Sequence, residues 1–377
     1  DSIYMSICQR VTGRGGWPLS AWLTPEGKPF YIGTYFPKTP QGQMPGFLDL
    51  LEKIAASWSD PDERSEMQQR AEQWADTARD KYDTPSPETG GEVPGEDTLD
   101  SAVRTSLRSF DDEYGGFGSD GPKFPQPGRL DLLLRAAGRS GSDDALGAAT
   151  TTLDAMANGG MYDQLGGGFH RYATDREWTV PHFEKMLYDN AGLPPLYLAG
   201  HQLTGQGRYT DVVEETLAFV DRELTHPEGG FYSTLDARSG DEEGDEVEGA
   251  FYVWTPAAVG DALERSGEFD ASDESTLAAD LFCDRYGVTE SGNFEGEPVL
   301  TRSRSGGSLA GEYDRDEDET RSLLGRARTA ALAGRERRPR PRRDEKIRAG
   351  WNGLAISAFA EAAVVDDAAH AETGRAA

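Results

Sequence analysis

The sequence predicts a mainly α protein in two parts: a short α/β segment, then an array of helical hairpins of the α/α toroid kind. Three observations carry this. Residues 13–37, "GRGGWPLSAWLTPEGKPFYIGTYFP", read as a Pro-led β-hairpin. Beyond residue 97, apolar residues recur at helical spacing in one run after another. Between those runs a glycine phrase ending in Phe returns: "EYGGFGSD" from Glu113, "LGGGFHRY" from Leu165, "EGGFYSTLD" from Glu228 and a weaker "SGNFEGEP" from Ser291. The intervals, roughly 50–65 residues, suit a helical hairpin with its loops.

In chain order, Gly15 and Gly16 lead into Trp17-Pro18, where an X-Pro bond makes Pro18 a candidate cis proline. Leu19–Thr24 is expected to be a buried strand, Pro25–Lys28 a turn, and Pro29–Tyr35 a second strand. After Gly46, the residues Phe47, Leu48, Leu51, Ile54, Ala55 and Trp58 fall at helix spacing, and 60–83 is polar but helix-compatible. "DTPSPETGGEVPGEDT" is rich in Pro, Gly and acid and reads as a linker. The expected organisation is therefore 1–82, a linker at 83–97, and a hairpin domain over 98–377 built from runs such as "RLDLLLRAAG", "ALGAATTTLDAMANGG" and "YTDVVEETLAFVDREL".

Composition narrows the function. Asp and Glu number 67 against 38 Lys and Arg, a formal charge of −29. Such a surface repels phosphate backbones and anionic lipid, which argues against nucleic-acid and membrane partners. It is read as a halophilic, carboxylate-hydrated surface. The 2 cysteines, Cys8 and Cys283, form no CxxC, and no metal site is predicted. Neither a P-loop, a dinucleotide-binding glycine pattern nor a G-x-S-x-G elbow is present, so no cofactor is expected. With no 18-residue apolar run, the expected location is cytoplasmic; oligomeric state is not set by these features.

The opening segment "DSIYMSICQRVTGRGGWPLSAWLTPEGKPFYIGTYFP" resembles the DUF255-type thioredoxin-like domain of the family that includes spermatogenesis-associated protein 20 and YyaL. "FDDEYGGFGSDGPKFPQP", "MYDQLGGGFHRYATDREWTVPHFEKMLYDNAGL", "EGAFYVWT" and "DEKIRAGWNGLAISAFAEAA" resemble that family's later blocks. The resemblance implies a partial thioredoxin-like domain followed by an incomplete (α/α)6 barrel, similar to N-acylglucosamine 2-epimerases and six-hairpin glycosidases. It also implies a Cys-x-x-Cys pair upstream of Asp1 and a chain cut at both ends, with about four to five of six hairpins present.

The densest polar constellation is Tyr162–Asn190. Pro181 is expected to open a helix that places His182 in its first turn, with Lys185 and Tyr188 on one face. A 2-epimerase needs two proton-transfer groups on opposite sides of a sugar, which His170 and His182 would supply. A glycosidase needs two carboxylates, for which Asp163, Asp175, Glu184 and Asp236 are candidates. Gln164, Arg171, Tyr172, Trp178, Lys185, Tyr188, Asn190 and Trp254 are candidate substrate contacts. Asp344, Lys346, Trp351 and Asn352 join them because they stand in a block matching the family. The plainer alternatives are that each His is a structural hydrogen-bonder, the Trp residues are core, and Lys185 pairs with Asp189 at i+4. The acidic run 236–254 is read as a solvated loop, and the basic run "RERRPRPRRDEKIR" as an exposed loop neutralised by the acidic surface, with binding of an anionic substrate as the alternative.

Three functions follow as expectations: a carbohydrate-type pocket with epimerase-like or glycosidase-like acid/base chemistry on a small-molecule sugar; a thiol-disulfide oxidoreductase or redox-linked chaperone-like factor; or a non-catalytic scaffold. Thiol exchange is not expected from the present residues, because Cys8 has no nearby partner cysteine.

Overall fold

The computed structural model describes residues 2–13, 15–42, 44–82, 95–241, 244–269 and 272–365. Contacts divide the chain into two compact units, Asp1–Val93 and Pro94–Ala377. Most of the expected linker, residues 83–94, lies outside the described residues.

The first unit runs α1 (Ser2–Thr12), β1 (Ser20–Leu23), β2 (Pro29–Gly33), α2 (Phe47–Ser59) and α3 (Pro61–Tyr82). The two strands pair antiparallel, Ser20 opposite Gly33 and Trp22 opposite Tyr31. Their turn closes through Thr24 N–H to Lys28 O at 2.8 Å, with Gly27 at a φ of +80° that favours glycine. The Trp17-Pro18 peptide is cis. The burial is the reverse of the expectation: β1, read as the buried strand, is half-exposed, whereas Phe30 and Ile32 of β2 face the core. β1 pairs with β2 alone among the described residues, so it lacks the second neighbour that would cover it. Ile7, Cys8, Ile32 and Ala78 form the small core, and Phe30 stacks on Trp58 at 5.0 Å.

The second unit is a succession of helices joined by short strands. It comprises α4 (Glu96–Leu107), α5 (Pro127–Ser140), α6 (Asp143–Asn158), β3 (Tyr172–Ala173), β4 (Pro181–His182), β5 (Lys185–Met186), α7 (Leu187–Gly192), α8 (Pro194–Thr204) and α9 (Arg208–Leu224). Then follow β6 (Thr234–Leu235), β7 (Arg238–Gly240), β8 (Glu246–Glu248), α10 (Pro256–Ser266), α11 (Ser272–Tyr286), α12 (Gly306–Glu312), α13 (Glu317–Arg335), β9 (Arg343–Asp344) and α14 (Ala349–Val365). The boundaries follow local chemistry. Pro127, Pro194 and Pro256 stand at helix starts, where a missing N–H costs nothing; Ser142, Thr255 and Asp316 cap N-termini; left-handed Gly141, Gly205 and Gly267 end helices. Helices α5 and α6, α8 and α9, and α10 and α11 pack as pairs, while α14 lies on α7 and α8. In α9 the apolar residues Val212, Val213, Leu217, Val220 and Leu224 recur at helical spacing and are buried. One core joins α5–α9 to α14, and a second joins α10–α13.

The glycine phrases are the joints between hairpins. In the second, Asp163 N–H donates to Gly168 O and Gly167 N–H donates to Asp163 O, both at 3.0 Å. Gly167 and Gly168 hold φ of +72° and +79°, and a Cβ on Gly168 would stand 2.5 Å from the Phe219 ring. Asn190 of α7 then clamps the following Phe: its Oδ1 accepts from Phe169 N–H at 2.6 Å and its Nδ2 donates to Phe169 O at 2.9 Å. Asn352 of α14 repeats this on Phe231 at 2.7 and 3.0 Å. In the first loop, Thr152 Oγ1 of α6 accepts from Gly116 N–H at 2.9 Å instead.

Candidate functional site

Three segments between helices, one of them the third glycine joint, meet in one sheet. β5 pairs with β6, and β6 with β9, all antiparallel, so that Lys185, Leu235 and Arg343 stand in one row and Met186, Thr234 and Asp344 in the next. Adjacent rows of a pleated sheet point to opposite faces. Thr234 and Asp236 of one strand, with Arg342 and Asp344 of the other, open on a groove of about 420 Å³ that also takes in His182, Glu184, Arg238 and Glu248. Lys185 and Leu235 line a separate cavity on the other face, and the long side chain of Arg343 reaches the rim of both.

His182 is the centre of the groove. Its Nδ1 lies 2.7 Å from Glu248 Oε1, its Nε2 lies 3.6 Å from Glu184 Oε2, and its ring stacks on Tyr172 at 5.2 Å. Hydrogen bonding to Glu184 and Glu248 raises the imidazole above its ordinary pKa despite partial burial. The same contact with His182, helped by Arg171, lowers Glu184. Arg171 Nη1 stands 3.3 Å from Glu184 Oε2, and Arg171 in turn meets the Tyr188 hydroxyl. The groove thus carries an imidazole between two carboxylates, which favour its protonated form.

The sequence had placed His182 on a helix. Instead Tyr172 pairs with His182 and Ala173 with Pro181, because Asp175 turns the chain by accepting from Thr179 and Val180 N–H at 3.0 and 2.6 Å. The helix starts only at Leu187, so Lys185 and Tyr188 do not continue a face with His182. Lys185 pairs not with Asp189 but with Asp163, at 2.7 Å.

His170 does not share the groove. It is 2 % exposed, its Nδ1–H donates to Phe183 O at 2.9 Å, and burial together with Lys185 lowers its pKa to about 3. A sealed, neutral imidazole cannot serve the opposite side of a sugar held at His182. Trp178 is fully buried, its indole N–H bonded to Tyr114 O at 3.1 Å; Trp254 is buried under the Arg338 guanidinium at 4.1 Å. Gln164 ties α6 to the second joint through Ala157 O and Gly159 O, and Asn190 and Asn352 are the clamps already described. Tyr188 and Trp351 pack together at 5.1 Å. Asp236 is exposed on the groove wall, and Lys346 folds back onto Asp344 at 2.7 Å.

Sequence reasoning missed Glu248, placed Asp189 only as a partner for Lys185, and read the basic run first as an exposed loop. Glu248 sits on a β7–β8 hairpin inside the acidic run; the alternation in "EVE" was the available signal, since it sends Glu246 and Glu248 to one side. Glu246 meets Arg342 at 2.9 Å. Asp189 is buried with one oxygen unpartnered among the described residues, and burial raises it to about 8. The basic run is not an exposed loop throughout: Arg335 is 3 % exposed and meets Asp163 at 2.7 Å. Among the described residues there is no His, Cys, Asp and Glu cluster suited to a metal, and no helix long and apolar enough to cross a membrane.

These features define the class: a mainly α chain with a thioredoxin-like α/β unit and a domain of helical hairpins whose loops build the site. Residues 1–79 match the family Thioredox_DsbH, described as a protein of unknown function, DUF255. Along nearly its whole length the chain is similar to spermatogenesis-associated protein 20. Identity is 37% over 377 residues with the Homo sapiens protein, covering 96% of this chain and 47% of that one. It is 36% over 378 residues with the Mus musculus protein, again 96% and 47%. The chain therefore spans about half the length of the curated relatives it matches. Among solved structures, cellobiose 2-epimerase from Spirochaeta thermophila matches at 15% identity and a TM-score of 0.34, over 74% of this chain and 84% of that one.

Proposed function

We propose that the helical-hairpin domain binds a small polyhydroxylated, carbohydrate-type ligand in the His182 groove, with His182 transferring the proton. The observation that carries this reading is the imidazole held between Glu184 and Glu248 at the mouth of a groove walled by alternating carboxylates and guanidinium groups. Sugar hydroxyls both donate and accept, so they match a wall that supplies acceptors and donors side by side. A volume of about 420 Å³ is of the size that small ligands fill. The raised pKa favours the proton-donating form of His182, and Asp236, an exposed carboxylate of the same groove, is assigned the return step. The burial of His170 favours one imidazole working with carboxylates over two imidazoles on opposite faces.

The test is calorimetric titration of mono- and disaccharides, uronic acids and amino sugars. One sugar class should bind saturably, and His182→Ala, at a side chain only about a quarter exposed and outside the core, should abolish that binding while the chain stays folded. Equal binding by the variant, or none by any sugar, would overturn the reading. The DUF255 match supports thiol chemistry as a second reading, but not by the present cysteines: Cys8 is buried beside Thr12, and burial with nearby acids holds the Cys283 thiol at about 11.

A further inference from the structure

The cavity behind the sheet has a different chemistry from the groove in front of it. It measures about 210 Å³ and is lined by five cations, Lys185, Arg222, Arg335, Arg340 and Arg343, against three carboxylates, Asp163, Glu223 and Glu336. The carboxylates are shared. Asp163 serves both Lys185 and Arg335 at 2.7 Å, and Glu223 serves Arg222 at 2.8 Å and Arg340 at 2.7 Å. Glu336 meets Arg340 again, and the carboxylate beside Arg343, that of Glu345, is outside the cavity. With Glu345 counted, one positive charge at the cavity is left over, in a chain whose formal charge is −29.

The cations are graded in depth. Lys185 and Arg335 are buried, and the Arg335 Nε–H has no hydrogen-bond partner among the described residues. Arg222, Arg340 and Arg343 stand at the mouth with side chains 42%, 49% and 37% exposed. Buried donors left unmade are costly, and guanidinium forks match the paired oxygens of an oxyanion. The remaining wall is apolar: Phe219, Leu235, Phe251, Tyr252 and Pro341. That wall has nothing to offer a bare anion but suits the carbon skeleton of an ester.

We propose that this cavity binds a small phosphomonoester, its dianionic head held by Arg222, Arg340 and Arg343 and its carbon portion set against Phe219 and Tyr252. The site is distinct from the His182 groove, since the two open on opposite faces of the β5–β6–β9 sheet and share only Arg343 at their rims. An anionic head would meet this excess of cation charge, and arginine at the mouth would draw it in against the field of the acidic surface.

The experiment is calorimetric titration of the whole chain, at one fixed chloride concentration, with glycerol 3-phosphate and with inorganic phosphate. Glycerol 3-phosphate should saturate one site per chain and bind more tightly than inorganic phosphate. Arg340→Gln should weaken it by about tenfold, the loss of one charge-assisted contact. Glu223→Gln, which frees two arginines from their shared carboxylate, should tighten it by at least about threefold, so that the proposal is still tested if Arg340→Gln fails to fold. Binding should persist in His182→Ala, which separates this site from the groove. Absence of saturable binding by the ester, inorganic phosphate binding where the ester does not, or wild-type titrations from both cavity variants would overturn the proposal.

Discussion

The first and second glycine joints of the hairpin domain are built from the same parts and do different work. In both, an Asp accepts the backbone N–H groups of its own turn and a Lys ammonium, and that Lys also donates to the carbonyl of the first glycine of the pair. In the first joint the third partner of Asp111 is Arg176, a third exposed and only 65 residues away. In the second, the third partner of Asp163 is Arg335, buried and 172 residues away. The first joint is tied to the turn between β3 and β4; the second draws the end of α13 down onto the loop and has a cavity beside it. The third joint drops the pair altogether, placing His226 where Asp stood, yet keeps the turn and the Asn clamp. The acid-lysine pair is thus dispensable to a glycine joint, and where it is buried with a distant arginine it organises a site.

The sharpest way to break this comparison is to neutralise each acid. Asp163→Asn leaves Lys185 and Arg335 buried without a counter-charge and should destabilise the domain by about 3–5 kcal/mol in chemical denaturation. Asp111→Asn should cost less, because water can solvate Arg176. Equal losses would show that the long-range arginine adds nothing.

A smaller effect separates the clamps. Asn190→Ala removes the acceptor of Phe169 N–H and the donor to Phe169 O in a fully buried setting, and should cost about 2–3 kcal/mol. Thr152→Val orphans a single N–H, that of Gly116, and should cost about 1–2 kcal/mol. Thermal unfolding of the two variants checks the order.

The smallest effect is in pH dependence. His170 is held neutral down to about pH 3, whereas an unfolded imidazole takes up a proton below about 6.5. Its contribution is therefore full above that pH and is lost as pH falls from about 6.5 toward 3. Asp163 and Asp111, both lowered, add stability that is present above the usual carboxylate range and lost only at lower pH. His182 has the opposite sign, since its raised pKa gives stability below about 6.5 that is lost as pH rises through the folded value. His170→Gln should flatten the stability curve between pH 4 and 6.5 and leave the opposite slope that begins at about 6.5, which His182→Gln removes.

Much of the fold was legible because its signals are local. Pro at α5, α8 and α10, glycine after α5, α8 and α10, and the apolar spacing of α9 each act within a turn or two. The candidate site was legible in composition but not in arrangement. Tyr162–Asn190 does contain His182, Glu184, Lys185 and Asp163, yet Pro181 was read as a helix start when the Asp175 turn makes it a strand. His170 and His182, twelve residues apart in sequence, end in different environments: one sealed against Phe183 and Tyr252, the other opening on the groove.

By itself the sequence determined the mainly α class, the helix ends and the glycine joints, because periodicity, capping and positive φ are properties of short stretches of chain. Only the tertiary structure decided which charges meet. Glu248 reaches His182 across 66 residues and Arg335 reaches Asp163 across 172, in a region where three separate inter-helix segments register in one sheet. No local pattern encodes that register, because it follows from the packing of the hairpins that carry the loops.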